Sequence, residues 1–112
     1  MLKSHYANYL EETIGRKIIE DADGFMTYEI LDDHIYIADA YITPEKRGKY
    51  KIKEYIALIV KIAKENNINK LLTSVALEIS QADENLKIYL YVGFKLKMIN
   101  QDNNLIYLEK EV

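Results

Sequence analysis

Asp39 is the side chain whose placement most calls for a chemical explanation. It is the lone charge in the run Ile35-Tyr36-Ile37-Ala38-Asp39-Ala40-Tyr41-Ile42-Thr43, which is otherwise apolar at both odd and even positions. A carboxylate on such a strand must be paired, hydrogen-bonded or turned towards a cleft, because burying it alone is costly. The plain alternative is a structural Asp that meets a neighbouring loop, or solvent where strands part. Just downstream, Lys46, Arg47, Lys49 and Lys51 gather around Gly48, ahead of a helical stretch. A helix N-terminus presents unpaired N–H groups and a partial positive charge, so phosphate oxygens can be held there. A glycine lets the backbone approach such a ligand closely. The same four cations also suit a solvated basic loop. His5 and His34 have no partner at metal-ligand spacing, and no serine or lysine sits in a nucleophile motif.

The elements that must position these residues follow from periodicity. Residues 6–14 carry Tyr6, Tyr9, Leu10 and Thr13 at helical spacing, with Gly15 as the stop. Residues 17–20 and 25–31 read as two strands joined by the Asp-Gly turn signal of Asp21-Ala22-Asp23-Gly24. Residues 35–43 form a third strand. Strict alternation puts Ile35, Ile37 and Tyr41 on one face, and Tyr36, Ala38, Ala40 and Ile42 on the other. Two-sided apolarity suits a central strand. Pro44 ends it, and residues 45–50 form a charged loop.

From 51 to 64 the period changes to 3.6. Ile52, Tyr55, Ile56, Ile59, Ile62 and Ala63 share a face, and Asn66-Asn67 can stop the helix. Residues 71–75 give a strand parallel to the third. Ser80 reads as the N-cap of a second helix, with Asp83 and Glu84 in its first turn. Its expected buried stripe is Ala82, Leu86, Tyr89 and Leu90, and Gly93 closes it. Residues 94–99 and 105–109 complete a C-terminal hairpin. The fold class is α/β (α+β), with a mixed, mostly antiparallel sheet around a β-loop-α-β core.

The 112 residues suffice for one core, so a single domain is expected. With no cysteine there is neither a disulfide framework nor a thiolate metal site. A net charge of −3 argues against non-specific nucleic-acid binding. The longest apolar patch, 55–60, is far too short to span a membrane, and the first residues have no signal-peptide core. Neither nucleic acid nor membrane is an expected partner, and the cytosol is the default location.

Two segments carry a resemblance. Ile42-Thr43-Pro44-Glu45-Lys46-Arg47-Gly48-Lys49 resembles the strand-to-helix turn of the GNAT superfamily of acetyl-coenzyme A dependent N-acetyltransferases. Leu86-Lys87-Ile88-Tyr89-Leu90-Tyr91-Val92-Gly93-Phe94 is similar to that family's later motif, a tyrosine-bearing helix that ends at Gly-Phe. Residues 17–110 follow the family order with no insertion between the two. The resemblance implies acetyl-coenzyme A as co-substrate, with no metal, and transfer of acetyl to a primary amine whose identity is open. Tyr41, Ile42 and Thr43 would meet pantetheine. Arg47, Gly48, Lys49, Tyr50, Lys51 and Ile52 would meet pyrophosphate. Tyr89 would be the acid that protonates the leaving thiolate and Asp39 the base, with Tyr91, Glu29 and His34 as lesser substitutes and Glu78 near the acceptor. Small family members pair, which implies a homodimer.

The loop departs from the family pattern at two places. Tyr50 stands where the family has Gly, and Ile52 where it has Gly or Ala. A left-handed backbone at Tyr50 would cost about 1–2 kcal/mol, and Ile52 would either fill the phosphate's space or turn into the helix's core stripe. The cations nearby would compensate. The region before the first strand is also short, which leaves an open acceptor side. These departures support an alternative: a binding or assembly protein that keeps the fold without the coenzyme.

Overall fold

A computed structural model of the protein describes residues 4–48, 51–78 and 82–112. Among them the order is α1 (His5–Ile14), β1 (Lys17–Asp21), β2 (Gly24–Ile30), β3 (Ile35–Ile42), α2 (Lys51–Glu65), β4 (Lys70–Ala76), α3 (Ala82–Tyr91), β5 (Lys95–Asn100) and β6 (Leu105–Glu111). The strands form one sheet in the order β1-β2-β3-β4-β6-β5. Among the described residues only the β3–β4 pair is parallel. The expected mixed sheet and β-loop-α-β core are therefore present. The charged loop after β3 contains a 3₁₀ turn at Pro44–Lys46.

α2 supplies the centre of the core. Ile52, Tyr55, Ile56, Ile59 and Ala63 are all buried and pack with Met26, Ile35, Ile37, Leu71 and Leu108 from the sheet. Fully burying such a side chain stabilises by roughly 1.5–3 kcal/mol. Ile52, 3% exposed, belongs to this stripe. α2 ends at Asn67, whose φ of 57° allows the Ile68 N–H to reach the Ala63 carbonyl at 2.8 Å. α1 is capped by Ser4, whose Oγ accepts from the Ala7 N–H at 3.0 Å, and is closed by left-handed Gly15. Its buried residues are Ala7 and Leu10; Tyr6 and Tyr9, which share the helical spacing, are exposed.

Two face assignments are corrected. Strict alternation along β3 fails because Thr27 pairs with Asp39 while Tyr28 pairs with Ile37, which leaves Ala38 as an extra residue. Such a bulge bends the strand and reverses parity beyond it. Ile35, Ile37 and Ile42 therefore share the core side, and Tyr41 shares the opposite face with Tyr36 and Asp39. In α3 the buried pair is Ile88 and Tyr89, whereas Leu90 is 48% exposed. The proposed Ser80 cap lies outside the described residues.

The β1–β2 turn also has a specific reason for its glycine. A Cβ on Gly24 would collide with the Tyr41 carbonyl of the adjacent strand. The Asp-Gly signal thus marks both the reversal and a close backbone approach.

Candidate active site

The two central strands stay together only briefly. β3 and β4 pair at Ile35–Leu71, Tyr36–Leu72 and Ile37–Thr73, and the ladder stops there. The bulge at Ala38 lies immediately beyond. The strands part into a cleft of about 290 Å³, walled by residues 38–40 of β3 and 74–76 of β4 and closed by Asn85 and Tyr89 of α3 and Leu105 of β6. Past Ile37, the side of β3 that faces this cleft has no neighbouring strand among the described residues, so an extended chain with amide groups could pair with it as an added strand.

Tyr89 reaches the cleft because of the way α3 ends. Gly93 adopts φ 101°; its N–H bonds to the Leu90 carbonyl at 3.1 Å, and the Phe94 N–H bonds to the Tyr89 carbonyl at 3.0 Å. This pair of bonds is the Schellman motif, which commonly brings together side chains on either side of the glycine. Here those side chains are Tyr89 and Phe94, in edge contact with centroids 5.2 Å apart. The similarity in the Tyr-to-Gly-Phe segment therefore has a mechanical content: it fixes where the phenol points. Burial pushes that phenol up to about 12, with a hydrogen bond to Thr73 acting the other way. Thr73 Oγ1 donates to the Ile37 carbonyl at 3.1 Å, at the last rung of the β3–β4 ladder.

Asp39 stands on the other wall, with its side chain 62% exposed. Its Oδ2 lies 3.5 Å from Arg16 Nη1 and 3.4 Å from Thr27 Oγ1, and its N–H donates to Thr27 Oγ1 at 3.0 Å. It is thus both paired and turned to a cleft, which meets the demand its strand environment imposes. Arg16 also donates to Glu29 Oε1 at 2.9 Å. Sequence reading missed Arg16, because nothing local links it to a carboxylate on β3. It also missed Thr73, Ser74 and Asn85. Ser74 Oγ hydrogen-bonds Tyr36 Oη at 2.8 Å beside the cleft.

The loop beyond β3 is partly committed to its own structure. Arg47 Nε donates to the Ile42 carbonyl at 3.0 Å, and its guanidinium lies 5.7 Å from the Tyr41 ring centroid. Gly48 takes φ +78°, a left-handed backbone that glycine adopts without strain. Ile52 points into the core, not out of the helix end. Lys51 is engaged by three carboxylates: its Nζ lies 2.9 Å from Asp21, 3.3 Å from Asp23 and 3.3 Å from Glu54. Asp21 Oδ1 also accepts from Tyr55 Oη at 2.7 Å. Burial alone would raise the Asp21 carboxyl, but the bonds from Lys51, Tyr55 and the Asp23 N–H outweigh it and hold it at about 2. Between the loop and α3, the hollow lined by Ile42, Arg47, Ile52 and Asn85 has room for about one water, 10 Å³. A wider one of about 340 Å³ opens outside it beside Gly48, Glu84 and Lys87. Lys49 and Tyr50 lie outside the described residues.

The lesser candidates have partners of their own. Glu29 is bound by Arg16, and His34 Nδ1 lies 2.6 Å from Asp33 at the β2–β3 turn. Glu78 accepts from Asn104 Nδ2 at 2.7 Å. Tyr91, 68% exposed, lines a separate groove with Val60 and Val92, and Lys53 sits over its ring at 5.4 Å.

No protein-family model matches the chain, and no curated protein sequence does either. Solved structures do match it. A GNAT family acetyltransferase from Elizabethkingia anophelis with acetyl-CoA bound superposes with a TM-score of 0.73 at 14% identity, covering 97% of this chain and 84% of that one. A Bacillus subtilis acetyltransferase in complex with CoA gives 0.74 at 11% identity, covering 94% and 83%. The PaiA N-acetyltransferase from Thermoplasma acidophilum in complex with coenzyme A gives 0.70 at 22% identity over 80% of this chain. This chain spans only 54% of the length of that last protein. Similarity of this extent at such low identity is similarity of backbone architecture: the chain has the fold of the GNAT N-acetyltransferases.

Proposed function

We propose that the protein is an acetyl-coenzyme A dependent acetyltransferase that acts on a primary amine. The observation that carries this reading is the parting of β3 and β4 at the Ala38 bulge, with Asp39 on one wall and the Tyr89 phenol within the gap. Structural neighbours named as CoA and acetyl-CoA complexes share that architecture, which supports the same co-substrate here.

The coenzyme fits the residues present at two places. The strandless side of β3 suits the amide-bearing pantetheine arm, and the wider hollow beside Gly48 suits the diphosphate near the N-terminus of α2. Acetyl-coenzyme A would supply an activated thioester. The ammonium first gives one proton to solvent, and Asp39 would take the second as the free amine nitrogen attacks the thioester carbonyl carbon. Tyr89, protonated at neutral pH, would give its proton to the sulfur as the C–S bond breaks. The products are the acetamide and the free thiol, and the proton on Asp39 restores Tyr89 through solvent.

A second reading, a binding protein that keeps the fold without the coenzyme, is favoured by one feature. Asp21, Asp23 and Glu54 engage Lys51, and Glu84 lines the hollow where phosphates would sit, so a nearby cation is already paired and a carboxylate faces that place. Thermal unfolding separates the two readings. Acetyl-coenzyme A at about a hundred times its dissociation constant should stabilise the protein by about 2.7 kcal/mol. No change in Tm at millimolar coenzyme would rule out the enzyme.

A further inference from the structure

We propose that the sheet face bearing Asp39 is the acceptor surface, and that its ligand is a primary ammonium joined by a short alkyl chain to an aromatic ring. This inference rests on reading the cleft as the place of acyl transfer.

Two features meet on that face. The β2–β3 register sets Phe25 opposite Tyr41 and Thr27 opposite Asp39, so all four side chains project from the same side. Tyr6, Phe25 and Tyr41 form a continuous row of rings. Tyr6 meets Phe25 edge-on at 6.1 Å, and Phe25 stacks on Tyr41 at 5.9 Å. Arg47 closes the end of the row over Tyr41, and Tyr41 and Tyr6 remain 39% and 47% exposed. Aromatic surface of this kind in water attracts another ring through edge and stacking contacts.

The second feature is charge. Asp39 lies two positions along β3 from Tyr41, about 7 Å for an extended strand. Arg16, Glu29 and Asp39 form one cluster, at 2.9 and 3.5 Å, with one cation and two anions. The cluster keeps one net negative charge, which attracts an ammonium and repels a carboxylate or phosphate. Asp39 belongs to this cluster and also to the cleft wall. An ammonium drawn to it stands at the entrance to the gap, while the attached ring lies against Phe25 and Tyr41. An aliphatic amine would gain the charge contact and forgo the ring contact.

The test is direct binding to the full chain with no coenzyme present, read by amide-resolved NMR titration with phenethylamine, n-butylamine and phenylalanyl-alanine amide. Phenethylamine should bind about five- to tenfold more tightly than n-butylamine. Its shifts should centre on residues 25–27 and 39–41. Tyr41→Leu, at a half-exposed position, should bring that ratio close to one. Asp39→Asn should weaken both amines together, and its unchanged spectrum elsewhere would show that the fold persists. Stronger binding of the peptide assigns the ring and ammonium to a polypeptide N-terminus; stronger binding of phenethylamine assigns them to a free amine, and both support the shared chemistry. Equal affinity for phenethylamine and n-butylamine, or shifts centred on another face, would overturn the proposal. Because coenzyme is absent, this outcome is independent of whether acetyl-coenzyme A raises Tm.

Discussion

The Tyr89 ring meets Phe94 edge-on, at 5.2 Å, across the left-handed turn made by Gly93. That relationship joins a local backbone device to the proposed acid, since the same turn that ends α3 also holds the phenol in the cleft. Tyr89→Phe keeps the ring contact and removes only the hydroxyl. Turnover should fall by about 10²–10⁴, the usual contribution of a general acid. Stability should drop by no more than about 1.5 kcal/mol for the lost hydrogen bond, and coenzyme affinity should be unchanged. Steady-state kinetics beside a binding titration separates the effects; full activity in the variant would assign Tyr89 to packing alone.

Gly93 itself offers a backbone test. A Cβ there would stand 2.8 Å from Lys110 Nζ, which donates to the Val92 carbonyl at 2.7 Å, and φ of 101° is unfavourable for any L side chain. Gly93→Ala should cost about 2 kcal/mol or more, combining strain with a displaced cap. Urea unfolding reads this directly, and a loss under 0.5 kcal/mol would show that the turn tolerates a side chain.

Asp21 predicts an acid limb. Its folded pKa, about 2, lies below the ordinary 3.8, so its contribution is complete above about pH 4 and disappears as pH falls towards 2. Asp21→Asn should lower Tm at pH 7 and flatten the fall in Tm between about pH 4 and 2. Removing this anion beside the start of α2 should also tighten acetyl-coenzyme A binding modestly. An unaltered acid limb in the variant would show that other carboxylates govern it.

Much of this architecture could be read along the chain, and the exceptions have physical causes. The change from period two to period 3.6 after Pro44 located β3, α2 and β4, because burial on one helix face writes itself into the spacing. The bulge at Ala38 left no such trace. One extra residue reverses which side chains face the core without altering composition, so Tyr41 and Ile42 were placed on each other's faces. In α3, Leu90 and Ile88 are both apolar, and spacing alone could not choose between them on so short a helix. Asp39 was conspicuous as a lone charge, but its partner Arg16 comes from beyond α1 and only the fold brings them together. Lys51 was legible as a cation in the right place; that the β1–β2 turn would claim it depends on a tertiary contact.

The central claim is that coenzyme enters the gap between β3 and β4. The most direct test is an amide-resolved NMR titration of the wild-type chain with acetyl-coenzyme A. The account predicts saturable shifts that concentrate on residues 38–43 of β3 and the turn after it, on residues 74–76 of β4, on Gly48 and on the first turn of α2. Shifts confined to the groove beside Tyr91, or none at millimolar coenzyme, would contradict it.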